Sequence, residues 1–202
     1  MAITKVTSEV LENNVTIAGN LDASSGTIKL DGNYPTGTEN VALGNDATGT
    51  IDAANYNTGL GVDVFAALTT GDNNTAVGFA ALDANTTGSE NTTVGTGSLS
   101  SNTTGSENTA VGRSALNANT TASNNTAVGR SALLVNTTGV RNVAIGSTSL
   151  DANTTGGDNV AVGANALGAN TTASNNTGVG SAALMANTTG AYNTGLGNSA
   201  MI

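Results

Sequence analysis

Apolar and polar positions recur along this chain with a period of 17 residues from Asn40 onward. Each repeat opens on Asn, alternates polar and small apolar residues up to Val, Ile or Leu, and continues with Gly, as in NTAVG. The first asparagine column contains Asn40, Asn57, Asn74, Asn91, Asn108, Asn125, Asn142, Asn159, Asn176 and Asn193. A period this strict indicates a repeat architecture in which equivalent residues stack.

Three further columns follow the same period. The valine column contains Leu43, Leu60, Val77, Val94, Val111, Val128, Ile145, Val162, Val179 and Leu196. The glycine column comes one residue later and contains Gly44, Gly61, Gly78, Gly95, Gly112, Gly129, Gly146, Gly163, Gly180 and Gly197. The leucine column begins later and contains Leu82, Leu99, Leu116, Leu133, Leu150, Leu167, Leu184 and Met201. The first two repeats lack this Leu and the ANTT stretch, as expected of a terminal or transition unit.

The pattern predicts an all-β fibrous fold. Helical repeats need roughly 30 or more residues, and Asn, Thr and Gly are poor helix formers. NTAV reads as a short strand that Gly ends, SAL as a second short apolar piece, and NTTG as a turn. Each repeat is therefore one coil of a β-solenoid or β-roll, or one arm of an intertwined spiral, and stacked coils should each rise by about 4.8 Å.

The columns carry specific structural expectations. We expect Val and Leu to fill the interior, and Gly to stand where φ is positive or where another backbone passes too closely for a Cβ. The first asparagine column should form a ladder of side-chain amides, bonded from coil to coil. One Val and one Leu per repeat make a thin core, which favours several chains sharing one axis.

Other positions are predicted to face solvent. Arg113 and Arg130 are equivalent residues of consecutive repeats, and stacked like charges are tolerated only where solvent and salt screen them. The residue before each first-column Asn varies in type, which is typical of an exposed turn. In that rank Arg141 and Asp158 should form an exposed ion pair.

Composition narrows the classes of function. The chain has no Cys and no His, only five basic residues and a net charge of −9. Nucleic-acid binding requires clusters of Lys and Arg, and membrane insertion requires about 18 or more consecutive apolar residues, which the sequence does not contain. A Ser, His and Asp triad cannot form without His, so we expect no enzyme, no nucleic-acid partner and no membrane insertion.

Three short motifs resemble binding or modification sites. DANTTGGDN, residues 151–159, begins like a calcium loop, but Val162 stands where a calcium loop has its bidentate Glu. N-T-T tripeptides match the glycosylation acceptor and start at Asn85, Asn102, Asn119, Asn136, Asn153, Asn170 and Asn187. Duplication explains their recurrence. GLG at 59–61 and GTG at 95–97 lack the strand, helix and Lys of a phosphate loop. We predict turns at all of these places, with no metal and no cofactor.

Two repeat families share these motifs. NTAVGRSAL at 108–116 and NVAIGSTSL at 142–150 resemble the head repeats of trimeric autotransporter adhesins, which form parallel β-rolls in a bundle of three chains. The longer pattern NTAVG..AL..NTTG..N, over residues 40–202, is more similar to repeat regions of bacteriophage tail fibres and related virion proteins. The opening residues 1–44 resemble N-terminal attachment segments of phage structural proteins. The resemblance implies a homotrimer.

These observations predict a structural virion protein, a trimeric tail-fibre shaft that holds a host-recognition element away from the particle. Residues 1–39 would attach to other virion proteins and register the chains, with a short helix in 4–13 and two strands in 14–30. Residues 40–202 would form the shaft, with a host cell surface as the partner at its far end. The alternatives are a capsid-decorating fibre or knob, and a bacterial cell-surface adhesin. Ice binding is disfavoured because Thr86 and Thr87 are adjacent and point to opposite faces of a strand.

Overall fold

The computed structural model describes residues 40–44, 47 and 53–201 of the 202-residue chain. The predicted attachment region, residues 1–39, lies outside the described residues, and so do the helix expected in 4–13 and the two strands expected in 14–30. The described residues all belong to the 17-residue repeats.

The described part of the chain is a β-solenoid built from one chain. Its strands are β1 (Val41–Leu43), β2 (Thr58–Leu60), β3 (Thr75–Val77), β4 (Thr92–Val94), β5 (Thr109–Val111), β6 (Thr126–Val128), β7 (Val143–Ile145), β8 (Val160–Val162), β9 (Thr177–Val179) and β10 (Thr194–Leu196). They form one parallel sheet in sequence order, each paired with the equivalent residues of the next repeat, as Val111 is with Val128. The predicted all-β repeat fold is confirmed. Because the pairing runs between consecutive repeats of the same chain, the coil is a solenoid and not an intertwined spiral.

Each strand is short because small and β-branched residues stand between an Asn and a Gly. In β5 the side chains of Thr109 and Val111 point outward, whereas Ala110 between them is completely buried. The middle residue of the other strands is Ala, Gly or Thr, and it is buried in all of them except β1, where Ala42 is half-buried. The prediction that the valine column fills the interior is therefore wrong for the single chain. Strand alternation places the residues on either side of the small one on the outer face.

The glycine column has both predicted features, a positive φ and a neighbouring backbone too close for a Cβ. Gly112 has a φ of +132°, and a Cβ at this position would lie 2.5 Å from the carbonyl oxygen of Gly129 in the next coil. Its own N–H donates to the carbonyl of Val94 in the preceding coil at 2.7 Å. A side chain here would therefore strain the backbone and separate two coils.

The leucine column lies in the interior but in an unexpected backbone conformation. Leu116 and Leu133 are completely buried, yet their φ angles are +53° and +54°. A left-handed conformation costs a non-glycine residue roughly 1–2 kcal/mol. It is held by hydrogen bonds to the adjacent coil, because the N–H of Leu116 donates to the carbonyl of Ala132 at 2.9 Å. The predicted second apolar piece is thus a turn that directs Leu inward and not a strand.

The interior is narrow, so a coil with larger core side chains has a smaller residue in the middle of its strand. In most coils the apolar core is the small strand residue, the residue before the leucine column, and Leu itself. In the second repeat the core holds Phe65 and Leu68, and the strand residue is Gly59. A Cβ on Gly59 would lie 2.9 Å from a methyl of Val64 and 3.0 Å from the Phe65 ring. This repeat therefore has the larger apolar core of a transition unit, and Gly makes room for it.

Gly112→Ala should destabilise the solenoid because the new methyl meets the Gly129 carbonyl and the backbone sits where only Gly is unstrained. We expect a loss of about 1–3 kcal/mol from backbone strain alone, measured by denaturant unfolding. Gly168→Ala is the matched control: Gly168 has no positive φ, and its nearest neighbour to a new Cβ is the Asn165 carbonyl oxygen at 3.2 Å. Equal stabilities of the two variants would contradict this explanation of the glycine column.

Candidate functional site

The interior of the solenoid contains hydrogen-bonded amides as well as apolar side chains. In the first asparagine column, the Oδ1 of Asn108 accepts the backbone N–H and the Nδ2–H of Asn125, at 3.0 and 3.3 Å. The Oδ1 of Asn125 in turn accepts the backbone N–H and the Nδ2–H of Asn142. Both asparagines are buried. The column is thus a ladder of the kind that the sequence predicts, with every step running in the same direction along the chain.

The same amides also close each coil. The Nδ2 of Asn125 donates to the backbone carbonyl of Gly139, which stands 14 residues later in the same coil, at 3.0 Å. We call this acceptor the closing carbonyl of the coil. One buried side chain therefore joins the two ends of its own coil and links that coil to the previous one.

A second asparagine ladder was not predicted from the sequence. It is formed by the second asparagine column, the Asn residues of the N-T-T tripeptides. Asn119 donates its Nδ2–H to the Oδ1 of Asn102 at 2.9 Å, and Asn136 donates to Asn119 at 3.2 Å. Six of the column's asparagines are completely buried, and the half-buried Asn187 donates to Asn170 and Gly190, so these amides are used within the fold and are not presented to a sugar. The strict recurrence of N-T-T was the signal for this ladder.

The two ladders meet at the closing carbonyls. The carbonyl of Gly139 accepts Asn125 from the first column and, at 2.9 Å, Asn136 from the second. The closing carbonyls with two such side-chain donors are those of Gly88, Gly105, Ala122, Gly139, Gly156 and Ala173. Both lone pairs of each oxygen are used, as a buried carbonyl favours.

Hydroxyl groups continue the stacking near the surface. The Oγ1 of Thr86 donates to the carbonyl of Thr103 in the next coil at 2.9 Å, and Thr103 donates to Thr120. The Ser106 hydroxyl accepts the backbone N–H of Ser89 at 3.0 Å. The Thr and Ser residues that resemble a sugar acceptor or a turn thus bond along the stack.

The three arginine side chains lie on the outside. Arg113 and Arg130 are exposed, as predicted from their stacked positions. Arg141 binds Asp158 of the next coil through two hydrogen bonds of 2.7 and 2.9 Å, and both side chains are exposed. The Arg141 guanidinium lowers the pKa of the Asp158 carboxyl.

Two carboxylates occupy less favourable places. Burial raises the pKa of Asp83, and the nearby negative charge of Asp63 raises it further. The Oδ1 atom of Asp83 is buried without a hydrogen-bond partner. Burial also raises the pKa of Asp151, while Arg130 acts in the opposite direction. Asp83 is therefore a source of instability at neutral pH.

The residues of the calcium-like motif are not gathered around a common point. Asn153 is buried in the second asparagine ladder, whereas Asp158 is paired with Arg141 on the surface. Within residues 40–44, 47 and 53–201, no group of three or more His, Cys, Asp or Glu side chains is placed to hold a metal ion. The same residues form no helix long and apolar enough to cross a membrane.

The valine column forms an apolar ridge on the outer face of the sheet. Leu60 is 49% exposed, Ile145 40% and Leu196 68%, while Val111 and Val128 are half-buried. The other outward residue of each strand is Thr or Val. The outer sheet face of the described strands therefore has one unbroken apolar rank, beside a rank that is Thr in seven strands and Val in three.

A comparison of the chain with family models, curated proteins and solved structures finds no match in any of the three.

Asn125→Ala should destabilise the solenoid strongly. The substitution leaves the buried N–H and Nδ2–H of Asn142 without their acceptor, and an unpaired buried group costs about 1–3 kcal/mol, so we expect a loss of roughly 2–6 kcal/mol in the free energy of unfolding. Arg130→Ser, five residues away on the surface, should be nearly neutral. Thermal and urea unfolding provide the measurement, and the opposite order of the two effects would refute the ladder's role.

Asp83→Asn should raise the melting temperature at pH 7. Because the pKa of Asp83 is higher in the folded chain than the ordinary 3.8, its charged form weakens the fold above the raised pKa, and the penalty disappears as pH falls below 3.8. Asn is accommodated at this position of the repeat, because Asn117, the equivalent residue two coils later, donates its Nδ2–H groups to the Gly97 carbonyl and the Ser100 hydroxyl.

The control for this experiment is Asp158→Asn, which removes a carboxylate whose pKa is lowered and should give no gain at pH 7. Scanning calorimetry from pH 3 to 7 separates the two. A gain for Asp83→Asn that is the same at every pH would contradict the burial explanation.

Proposed function

We propose that this chain is a structural protein, the shaft of a homotrimeric virion tail fibre that holds a host-recognition element away from the particle. The observation that carries the proposal is the unbroken stack of ten in-register strands, whose interior is hydrogen-bonded from each coil to the next. Such a stack gains length with each repeat while its cross-section stays the same.

The distribution of polar groups supports a mechanical role. Asn, Thr and Ser supply the donors and acceptors that other proteins use to bind ligands, and here they bond along the stack. Each coil is thereby tied to its neighbours by strand pairing and by side-chain ladders. A shaft with these links resists bending and local opening, because separating two coils breaks several hydrogen bonds together.

Self-association into a trimer is supported by the thin interior and by the sequence resemblance. The apolar core of most coils is little more than Leu and two small residues, so packing against other copies adds apolar burial that one chain lacks. The resemblance of residues 40–202 to phage fibre repeats and autotransporter head repeats implies three chains. It also implies the virion location and an N-terminal link to other virion proteins.

The size and mass of the purified chain test the shaft. Ten coils at about 4.8 Å should give a repeat region roughly 48 Å long in electron micrographs, and light scattering should give three times the 19.5 kDa of one chain. A folded monomer would refute the trimer. A repeat region more than twice this length would refute the stacked shaft.

The location is tested on particles. Antibodies raised against the repeats should decorate fibres at the tail of virions that contain this chain. Labelling of the capsid surface, or of a bacterial envelope without particles, would reject the tail-fibre role and leave the shaft structure intact.

A further inference from the structure

We infer that the valine column is the surface through which copies of this chain associate, with the same column of a second copy packed against it. This inference rests on the self-association proposed above and identifies the surface responsible. The starting point is the exposure of this column, which neither the fold nor the ladders of one chain require.

The column remains apolar where a solvent-facing position is free to vary. All of its members are Val, Ile or Leu, although several are well exposed, including Leu60 at 49% and Ile145 at 40%. A different outward rank, two residues further along each coil, changes from Phe79 to Thr96, Arg113 and Ser147. The contrast indicates that something apolar covers the valine column and not the other rank.

Charge is also kept away from this face. The outward residues of all ten strands are Thr, Val, Ile or Leu, in a chain whose net charge is −9. Acidic side chains such as Glu90, Glu107 and Asp158 stand in the turns. Copies that meet through their sheets therefore bring no carboxylates into the contact. The acidic side chains of the two copies stay at the edges of the contact, where solvent and salt screen their repulsion.

The size of the face suits an interface. Ten strands about 4.8 Å apart give a length of roughly 48 Å, and the two outward residues of a strand lie about 6.6 Å apart. With side-chain width included, the valine column and the Thr or Val rank beside it cover roughly 400–500 Å², within the roughly 300–600 Å² of the largest patch on a typical monomer. Stable interfaces bury roughly 800 Å² on each partner, so this face supplies about half of one and the residues that flank it supply the rest.

The spacing of the column selects the partner. A ridge with an apolar side chain at every coil is matched over its full length only by a surface with the same rise of about 4.8 Å. A second copy of this chain has that rise, the same residue sizes and the same length. In the proposed trimer the three sheets would face one axis, with their valine columns in contact along it.

The experiment compares two double variants made in the same coils of the full chain. Val94→Lys with Ile145→Lys places charges in the valine column, and Thr104→Lys with Thr155→Lys places them in exposed turns as the control. Because the valine-column side chains face outward, both proteins should keep the circular dichroism of the native chain. We expect the first variant to sediment at the 19.5 kDa of one chain, with at least tenfold weaker association, and the control to sediment as the native assembly.

The outcomes separate this inference from the proposed function. If the native chain associates and the column variant does so equally well, the surface is wrong and the shaft proposal stands. If the native chain is itself a monomer, both are wrong. Equal loss of association in the two variants would also overturn the assignment to this face.

Cross-linking gives a second measurement, which does not require the fold to accept Lys in the valine column. The chain has no Cys, so Ile145→Cys introduces a single thiol. A short bis-maleimide should join copies of Ile145→Cys and leave Thr155→Cys uncoupled. Coupling through Thr155→Cys alone would contradict the inference.

Discussion

Most coils of this solenoid depend on one buried amide that makes two kinds of connection, the exception being Asn176, whose Nδ2 is buried without a partner. The side chain of a first-column Asn, such as Asn125, bonds the closing carbonyl of its own coil and the Oδ1 of the previous Asn. Because an unpaired buried amide is costly, the coil cannot change its length or slip against its neighbour without losing several bonds. The unvarying period of 17 residues follows from this constraint.

The rest of the coil accommodates that geometry. A second Asn from the opposite side of the coil reaches the same carbonyl, as Asn136 does at Gly139, so the interior between the two ladders is narrow. In most coils small strand residues and one Leu fill it, and Leu133 enters from a left-handed turn at φ +54°. Backbone strain at the turns is thus offset by hydrogen bonds to adjacent coils. The Val, Ile or Leu residue at the end of each strand remains outside, and these residues form the valine column.

The sequence contained enough to predict the period, the short strands, the glycine conformation and the first ladder, because each depends on a residue type that repeats without exception. It was not enough to orient the valine column. Alternation separates the two faces of a strand, but a strand of three residues does not reveal which face is inside, and Ala110 looked less like a core residue than Val111. The second ladder was missed because N-T-T fits a turn equally well. The left-handed Leu residues carry no composition signal, since Leu is not a residue that favours positive φ.

Hydrogen exchange of the asparagine side chains, followed by NMR, tests the central role of the ladders most directly. The Nδ2 protons of Asn108 and Asn119, one from each column, should be protected to the same degree as the backbone amides of β5, since both are bonded and buried. Those of Asn124 and Asn175, which are exposed, should exchange at once. Exchange of the ladder amides as fast as that of Asn124 would contradict the account.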